Sequence, residues 1–153
     1  MSARALDAFG PSTWRHPEAV SLGRLPARSP LVGHPDAASA RTGRDASPWF
    51  RSLDGTGWRF LGLPRPDDVR PAHVADDTDT SRWRTITVPG HWTMQGFDHP
   101  HYTNVQMPFA GRPPEVPDDN PTGVYRTTFR LPVAWRRRQI GRASCRERVY
   151  SSV

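Results

Sequence analysis

The segment VPGHWTMQGFDHPHYTNVQMPFAGRPPEVPDDNPTG, Val88 to Gly123, decides how the rest of the chain is organised. It is too rich in Pro, Gly, Asn and Asp to form a helix, and too aromatic to be disordered. Its prolines fix φ and so reduce the entropy that is lost when the segment becomes ordered. Long ordered loops in compact proteins are usually functional. The composition therefore predicts a binding loop on a β scaffold.

Strand patterns lie on both sides of this loop. Residues 49–63 and 83–88 precede it; in the first, Trp58 and Phe60 alternate with Arg59. Residues 123–131, GVYRTTFRL, give the clearest strand pattern, and Pro132 ends it. A few short strands joined by long loops predict an all-β sandwich.

The loop also carries a family resemblance. Its elements occur in one order at one spacing: Val88-Pro89, Trp92, Gln95-Gly96, Tyr102-Thr103-Asn104-Val105, Pro113-Pro114, Val116-Pro117 and Asn120-Pro121-Thr122-Gly123. This series resembles the sugar-binding domain of bacterial β-galactosidases of glycoside hydrolase family 2. The resemblance implies a galactose-binding-like jelly-roll sandwich of about eight strands, of which this chain supplies about half. Within the resemblance, Thr56 is an extra residue that departs from the usual spacing of the first strand.

The resemblance and the composition together divide the chain into three segments. Residues 1–47 are predicted to be a largely irregular N-terminal arm, similar to one that contributes to oligomer contacts in the family; a loose tail is the alternative. Residues 48–138 are predicted to be the first part of the jelly-roll domain, truncated. Residues 139–153 are excluded from the fold because the string IGRASCRERV resembles a translated DNA-sequencing adapter. Because a partial sandwich leaves faces uncovered and edges unpaired, we hypothesise that the chain does not fold stably alone.

Asn104 is the predicted substrate-binding residue. It matches the Asn of the family's Tyr-Thr-Asn-Val motif, which the resemblance implies contacts substrate hydroxyls. An amide suits this role because it offers both donors and an acceptor. From sequence alone, an Asn in a Pro-rich loop is more often a turn residue. Trp92 and Tyr102 are candidates for stacking on a sugar ring, with core packing as the alternative for both.

No catalytic residue is assigned to this sequence. Retaining glycosidases use two carboxyl groups, and in the resembled family both are Glu on a (β/α)₈ barrel later in the chain. Glu18, Glu115 and Glu147 are the chain's Glu residues, and none lies in a matching motif. The resemblance therefore implies a retaining β-galactosidase that hydrolyses terminal non-reducing β-D-galactosides, of which this chain is an inactive fragment.

No metal ligand is assigned either. His91, His99 and His101 are a candidate zinc set, but the further ligand and its supporting groups are not readable from the sequence. The acidic residues of the predicted solvated loop 64–82 lack the spacing of a Ca²⁺-binding loop. The resemblance implies Mg²⁺ and Na⁺ for the full-length protein, with ligands that mostly lie beyond this chain.

Charge and hydropathy limit the kinds of partner that the chain is expected to bind. All 21 basic residues are Arg, and residues 136–153 carry +5 of the net charge of +6, so the rest of the chain gives no electrostatic argument for nucleic acid. The sequence contains no run of 18 apolar residues, so no membrane span is predicted. A single Cys and an N-terminus without an apolar core predict a cytoplasmic protein. The expected partners are a galactoside and, for the full-length protein, further copies of itself.

Two other functions remain open at this point. A stand-alone carbohydrate-binding module would bind sugars as the isolated chain. An Arg-rich nucleic-acid binder would show steeply salt-dependent binding that survives removal of residues 139–153.

Overall fold

A computed structural model describes the chain at residues 16, 31–100, 109, 111–112 and 115–136, and the backbone of residues 141–144 and 148–151. Its helices and strands are α1 (Ala37–Thr42), β1 (Gly55–Leu63), α2 (Pro71–Val74), β2 (Arg84–Val88), β3 (Thr122–Arg126), β4 (Gly141–Ser144) and β5 (Arg148–Ser151). Short 3-10 helices occur at Arg44–Ala46, Pro66–Asp68, Thr93–Gln95 and Val133–Trp135. Strands dominate this regular structure, which confirms the predicted all-β class.

The described residues fall into two units. One contains residues 31–54 and those from 128 onward, and the other contains residue 16 and residues 55–127. The second unit holds the three-stranded antiparallel sheet β2-β1-β3, and the first holds the β4-β5 pair. The candidate site belongs entirely to the second unit.

The central strand β1 shows the predicted alternation. Phe60 is buried with 1% of its surface exposed, whereas its neighbour Arg59 is exposed. Phe60 pairs with Arg84 of β2 on one side and with Tyr125 of β3 on the other. Because residues directly opposite each other in a sheet project to the same face, these three side chains form one row. Ile86 lies on the same face and is 2% exposed.

The extra residue near Thr56 is absorbed by a β-bulge. Between the pairs Gly55–Val88 and Trp58–Ile86, β1 advances by three residues while β2 advances by two. A bulge of this kind inserts one unpaired residue and bends its strand. Gly55 adopts a φ of 136°, which side-chain-bearing residues rarely adopt.

The strand predicted over residues 123–131 is shorter in the structure. β3 ends at Arg126, which pairs with Arg59, and residues 127–131 form no strand. Beyond Arg59, β1 enters its bulged region, so the second half of the predicted strand has no regular partner. The alternating pattern predicts the first part of this strand correctly, but a strand also requires a neighbour to pair with.

Arg126 secures the connection between β1 and β2. Its guanidinium donates hydrogen bonds of 2.6 Å to the carbonyl oxygens of Ala75 and Asp76, which directly follow α2. The Thr78 hydroxyl donates to the Ala75 carbonyl at 2.6 Å, so this corner has several partners. Residues 64–82 were predicted to be a solvated loop, but they contain α2 and a 3-10 helix.

The arm predicted over residues 1–47 contains a short helix that the sequence analysis missed. The Asp36 carboxylate caps α1 by accepting the Ser39 backbone N–H at 2.7 Å, which holds the pKa of Asp36 below its usual value. Farther along, the buried Ser47 hydroxyl donates to the Gly33 carbonyl at 2.6 Å. Trp135 donates its indole N–H to the Pro48 carbonyl at 2.9 Å.

The backbone of the segment attributed to an adapter is paired within itself. β4 and β5 form an antiparallel ladder in which Arg142 lies opposite Tyr150 and Ala143 lies opposite Val149. The non-native origin of residues 139–153 stays a prediction from the sequence.

Candidate functional site

Four rings meet on one face of the sheet, and we call them the aromatic cluster: Phe60, Trp92, Phe97 and Tyr125. Phe60 lies at its centre, with ring centroids 5.5 Å from Trp92, 4.3 Å from Phe97 and 4.9 Å from Tyr125. All three contacts are edge-to-face, which is a favourable geometry for aromatic pairs. The cluster joins β1, β3 and the segment after β2.

The segment after β2 turns back sharply to place two of these rings. The peptide bond between Val88 and Pro89 is cis, and the 3-10 helix Thr93–Gln95 follows. Gly96 then adopts a left-handed φ of 80°. The Trp92 carbonyl accepts the Phe97 N–H at 3.1 Å, so the turn closes on itself and presents both Trp92 and Phe97 to Phe60.

A side-chain amide fastens this turn to the sheet. The Gln95 side-chain oxygen accepts the Thr87 N–H at 2.7 Å, and the Gln95 amide nitrogen donates to the Thr87 carbonyl at 3.0 Å. A Cβ atom at Gly90 would lie 2.7 Å from the Gln95 nitrogen. Glycine is therefore required at position 90 for the amide to reach the strand.

A cleft of about 260 Å³ opens beside the cluster. Phe60, Trp92 and Phe97 supply apolar surface to it, and Arg84 and Asp98 supply polar groups. The Arg84 guanidinium lies 4.2 Å from the centre of the Phe97 ring, a cation–π contact. Asp98 is paired with His99 at 3.0 Å and has a positive φ of 58°.

The cleft places aromatic rings beside polar groups. Rings contact the apolar face of a sugar, and planar donors and acceptors contact its hydroxyl groups. Asp98 is the one carboxylate among the described residues that line the cleft.

Of the three site residues predicted from the sequence, the structure describes Trp92. Trp92 is half-buried against Phe60 and lines both the cleft and a second depression that contains His91 and Tyr125. Its packing role is thus seen directly, and its role in sugar stacking stays a prediction. Asn104 and Tyr102 lie outside the described residues, and their roles stay predictions too.

The described residues give no support for a metal centre in this chain. Nowhere among them do three His, Cys, Asp or Glu side chains come close enough together to hold an ion. His91 is exposed, His99 is occupied by Asp98, and His101 lies outside the described residues. Within the same residues, no helix has the length and apolar character of a membrane span.

Comparison with known proteins decides the family. Residues 50–145 match the model of the glycosyl hydrolases family 2, sugar binding domain. The chain belongs to this family. The match includes β1, β2, β3 and the aromatic cluster of the sugar-binding domain, and it confirms the resemblance seen in the sequence.

Three relatives of the chain carry the name beta-galactosidase. The chain is 42% identical over 126 residues to a beta-galactosidase of Psychromonas ingrahamii, covering 82% of this chain and 12% of that protein. It is 45% identical over 118 residues to a beta-galactosidase of Vibrio cholerae, covering 77% and 11%. A beta-galactosidase of Erwinia tasmaniensis is 44% identical over 122 residues, covering 80% and 12%. The chain thus spans about a tenth of the length of these relatives.

Sequence reasoning missed three features of the sugar-binding domain. It assigned no physical role to Gln95, although Gln95-Gly96 formed part of the resemblance. It also overlooked the central position of Phe60 and the close approach of two rings to Gly123. The signal that was present is the glycines themselves, because a Gly beside large aromatic residues often marks a close approach.

Proposed function

We propose that this chain is the sugar-binding part of a retaining β-galactosidase that hydrolyses terminal β-D-galactosides. The observation that carries the proposal is the identity of 42–45% to beta-galactosidases across most of the chain. The chain itself contributes binding groups, and the two catalytic Glu residues belong to a part of the enzyme that this sequence does not contain. Asn104 contacts substrate hydroxyls in this proposal, and Trp92 and Tyr102 offer their rings to the sugar.

The proposal extends to the whole enzyme in three respects. It binds Mg²⁺ and Na⁺ through ligands that mostly lie outside this chain, it forms a homo-oligomer to which the N-terminal arm contributes, and it works in the cytoplasm. These statements rest on the family resemblance, and for the cytoplasm also on the low Cys content.

A chimera tests the proposal. In it, this chain replaces the matching segment of the Psychromonas ingrahamii beta-galactosidase, while the rest of that enzyme is kept. We expect the chimera to hydrolyse a chromogenic galactoside and the isolated chain to leave it intact. Cleavage by the isolated chain, or a chimera that folds like its parent and lacks activity, would contradict the proposal.

Asn104 is tested in the same chimera. The substitution Asn104→Ala removes hydrogen bonds to substrate, so we expect KM to rise about three- to tenfold. Asn120→Ala is the matched control, because Asn120 engages its neighbours through its backbone: its N–H donates to Pro64 and its carbonyl accepts from Thr122. Equal effects of the two substitutions would contradict the assigned role of Asn104.

Isothermal calorimetry separates the carbohydrate-binding module from the enzyme fragment. A stand-alone module would release or absorb heat when the isolated chain is titrated with a galactoside. We expect no such heat, because the binding groups of the chain form only part of a site.

A further inference from the structure

At the outer edge of β2, a side chain takes the place of a neighbouring strand. Ile86 and Val88 pair with β1, and Thr87 lies between them with its backbone groups available on the other side. The Gln95 amide accepts the Thr87 N–H at 2.7 Å and donates to its carbonyl at 3.0 Å. These are the two bonds that a residue of an antiparallel strand makes. Gln95 thereby ties the segment that leaves β2 back to β2 itself.

Two further features of the turn support the contact between Gln95 and Thr87. At Gly90, a Cβ atom would lie 2.7 Å from the Gln95 nitrogen and 3.0 Å from the Thr87 oxygen. A larger residue at position 90 would therefore expel the amide. On the other side, the Gln95 N–H donates to the Trp92 carbonyl at 2.9 Å. The amide and the Trp92 ring are thus held in one small closed structure.

Little else holds this turn in place by its own burial. Its 3-10 helix contains three residues and buries none of them, and Met94 is 84% exposed. Among the described residues, its anchors are the two hydrogen bonds of Gln95, the rings of Trp92 and Phe97 on Phe60, and the contact of Arg84 with the Phe97 ring. Loss of the amide contacts leaves the rings as the remaining anchors and frees the strand edge.

We propose that Gln95 is a positioning residue for sugar binding, and this inference rests on the proposed function. Its amide fixes the turn that carries Trp92, which offers its ring to the sugar in the proposed function. Gln95 touches backbone rather than substrate, so it acts through the residues it places. Binding groups that are held in advance lose less entropy when ligand arrives.

The test uses the chimera with Gln95→Ala, Gln95→Glu and, as the matched control, Met94→Ala. We expect Gln95→Ala to raise KM for a galactoside about tenfold while kcat changes less than twofold, because uniform binding is lost. The control changes neither constant. Assays are run well below the temperature at which each protein loses structure, so that general destabilisation does not enter.

The Glu variant gives a readout that a merely structural role would not move. Ionised Glu accepts the Thr87 N–H but faces the Thr87 carbonyl with a second acceptor, whereas protonated Glu donates to it. We therefore expect KM of Gln95→Glu to fall toward the unsubstituted value as pH falls, relative to the chimera with Gln95 at each pH. A KM ratio that is independent of pH, or a Gln95→Ala variant with unchanged KM, overturns the inference.

Hydrogen exchange keeps the two proposals separate. In the chimera, whether active or not, Gln95→Ala is expected to speed exchange of the Thr87 and Phe97 amides, and Met94→Ala is not. Unchanged exchange overturns the inference about Gln95. An inactive chimera with normally slow exchange instead counts against the proposed function alone.

Discussion

Gly62 of β1 and Gly123 of β3 are register partners, yet only Gly123 has no room for a side chain. A Cβ atom at position 123 would lie 2.6 Å from the Phe60 ring and 2.7 Å from the Trp92 ring. At position 62 the nearest contact is 3.4 Å, also to Phe60, which is ordinary van der Waals contact. The two rings therefore rest on Gly123 and not on Gly62.

This asymmetry predicts opposite effects of one substitution. Gly123→Ala forces both rings to move, and we expect a loss of about 1–3 kcal/mol in the free energy of unfolding. Gly62→Ala is expected to be neutral or stabilising by a few tenths of a kcal/mol, because Ala restricts the unfolded chain. Limited proteolysis of the chimera that carries either substitution compares the resistance of this domain to cleavage. Equal sensitivity of both variants would contradict the packing described here.

The contacts of Arg126 predict that its replacement by Lys destabilises the protein more than the same replacement of Arg130. Its planar fork reaches two carbonyl oxygens that a single ammonium group does not satisfy in the same geometry. We expect Arg126→Lys to cost about 1–2 kcal/mol and to expose the corner after α2 to protease. Arg130→Lys is the control, since Arg130 is exposed on the surface. An Arg126→Lys variant as resistant as the control would show that the two bonds contribute nothing.

Tyr125 predicts a pH dependence. Partial burial raises the pKa of its phenol above the ordinary value, because the charged phenolate is less well solvated beside the cluster, although Tyr125 is 41% exposed. The neutral form is therefore favoured by folding. The resulting stabilisation is complete below the ordinary pKa and is lost as pH rises through the raised pKa.

Near-ultraviolet titration measures this pKa. Subtracting the curve of a Tyr125→Phe chimera from that of the parent chimera isolates one tyrosine. We expect its ionisation to occur above the pH at which a free tyrosine ionises. Ionisation at or below the ordinary pKa would mean that the phenol is well solvated and not held in the cluster.

The isolated chain is expected to lack a cooperative melting transition. Among the described residues the buried apolar side chains are Phe60, Trp83 and Ile86, while Phe129 and Val133 remain 46% and 74% exposed. A core this small does not offset the entropy of ordering the chain. Far-ultraviolet circular dichroism of the purified chain during heating tests this, and a sharp sigmoidal melt would disprove it.

The sequence predicted what local patterns determine. Alternation placed Phe60 on the buried face of β1, and it located β2 and the start of β3. The family signature in residues 88–123 identified the sugar-binding domain. The predicted all-β class needed nothing beyond these patterns.

What the sequence did not predict depends on partners distant in the chain. Residues 127–131 alternate as a strand does, but pairing decides whether a strand forms, and β1 bulges beyond Arg59. Gln95 has no local preference that would reveal its bonds to Thr87. Trp83 is 9% exposed and directly precedes β2, so the pleat of the strand does not decide its burial.

The bond between Gln95 and Thr87 has a consequence for how such a domain diversifies. Since the turn closes at Phe97, we expect residues added or removed farther along to leave the closure and the sheet untouched. Under the proposed function, changes in the downstream stretch are expected to alter substrate preference without changing the sheet. A foreign segment grafted after Pro100 is therefore expected to leave the contacts between Gln95 and Thr87 intact.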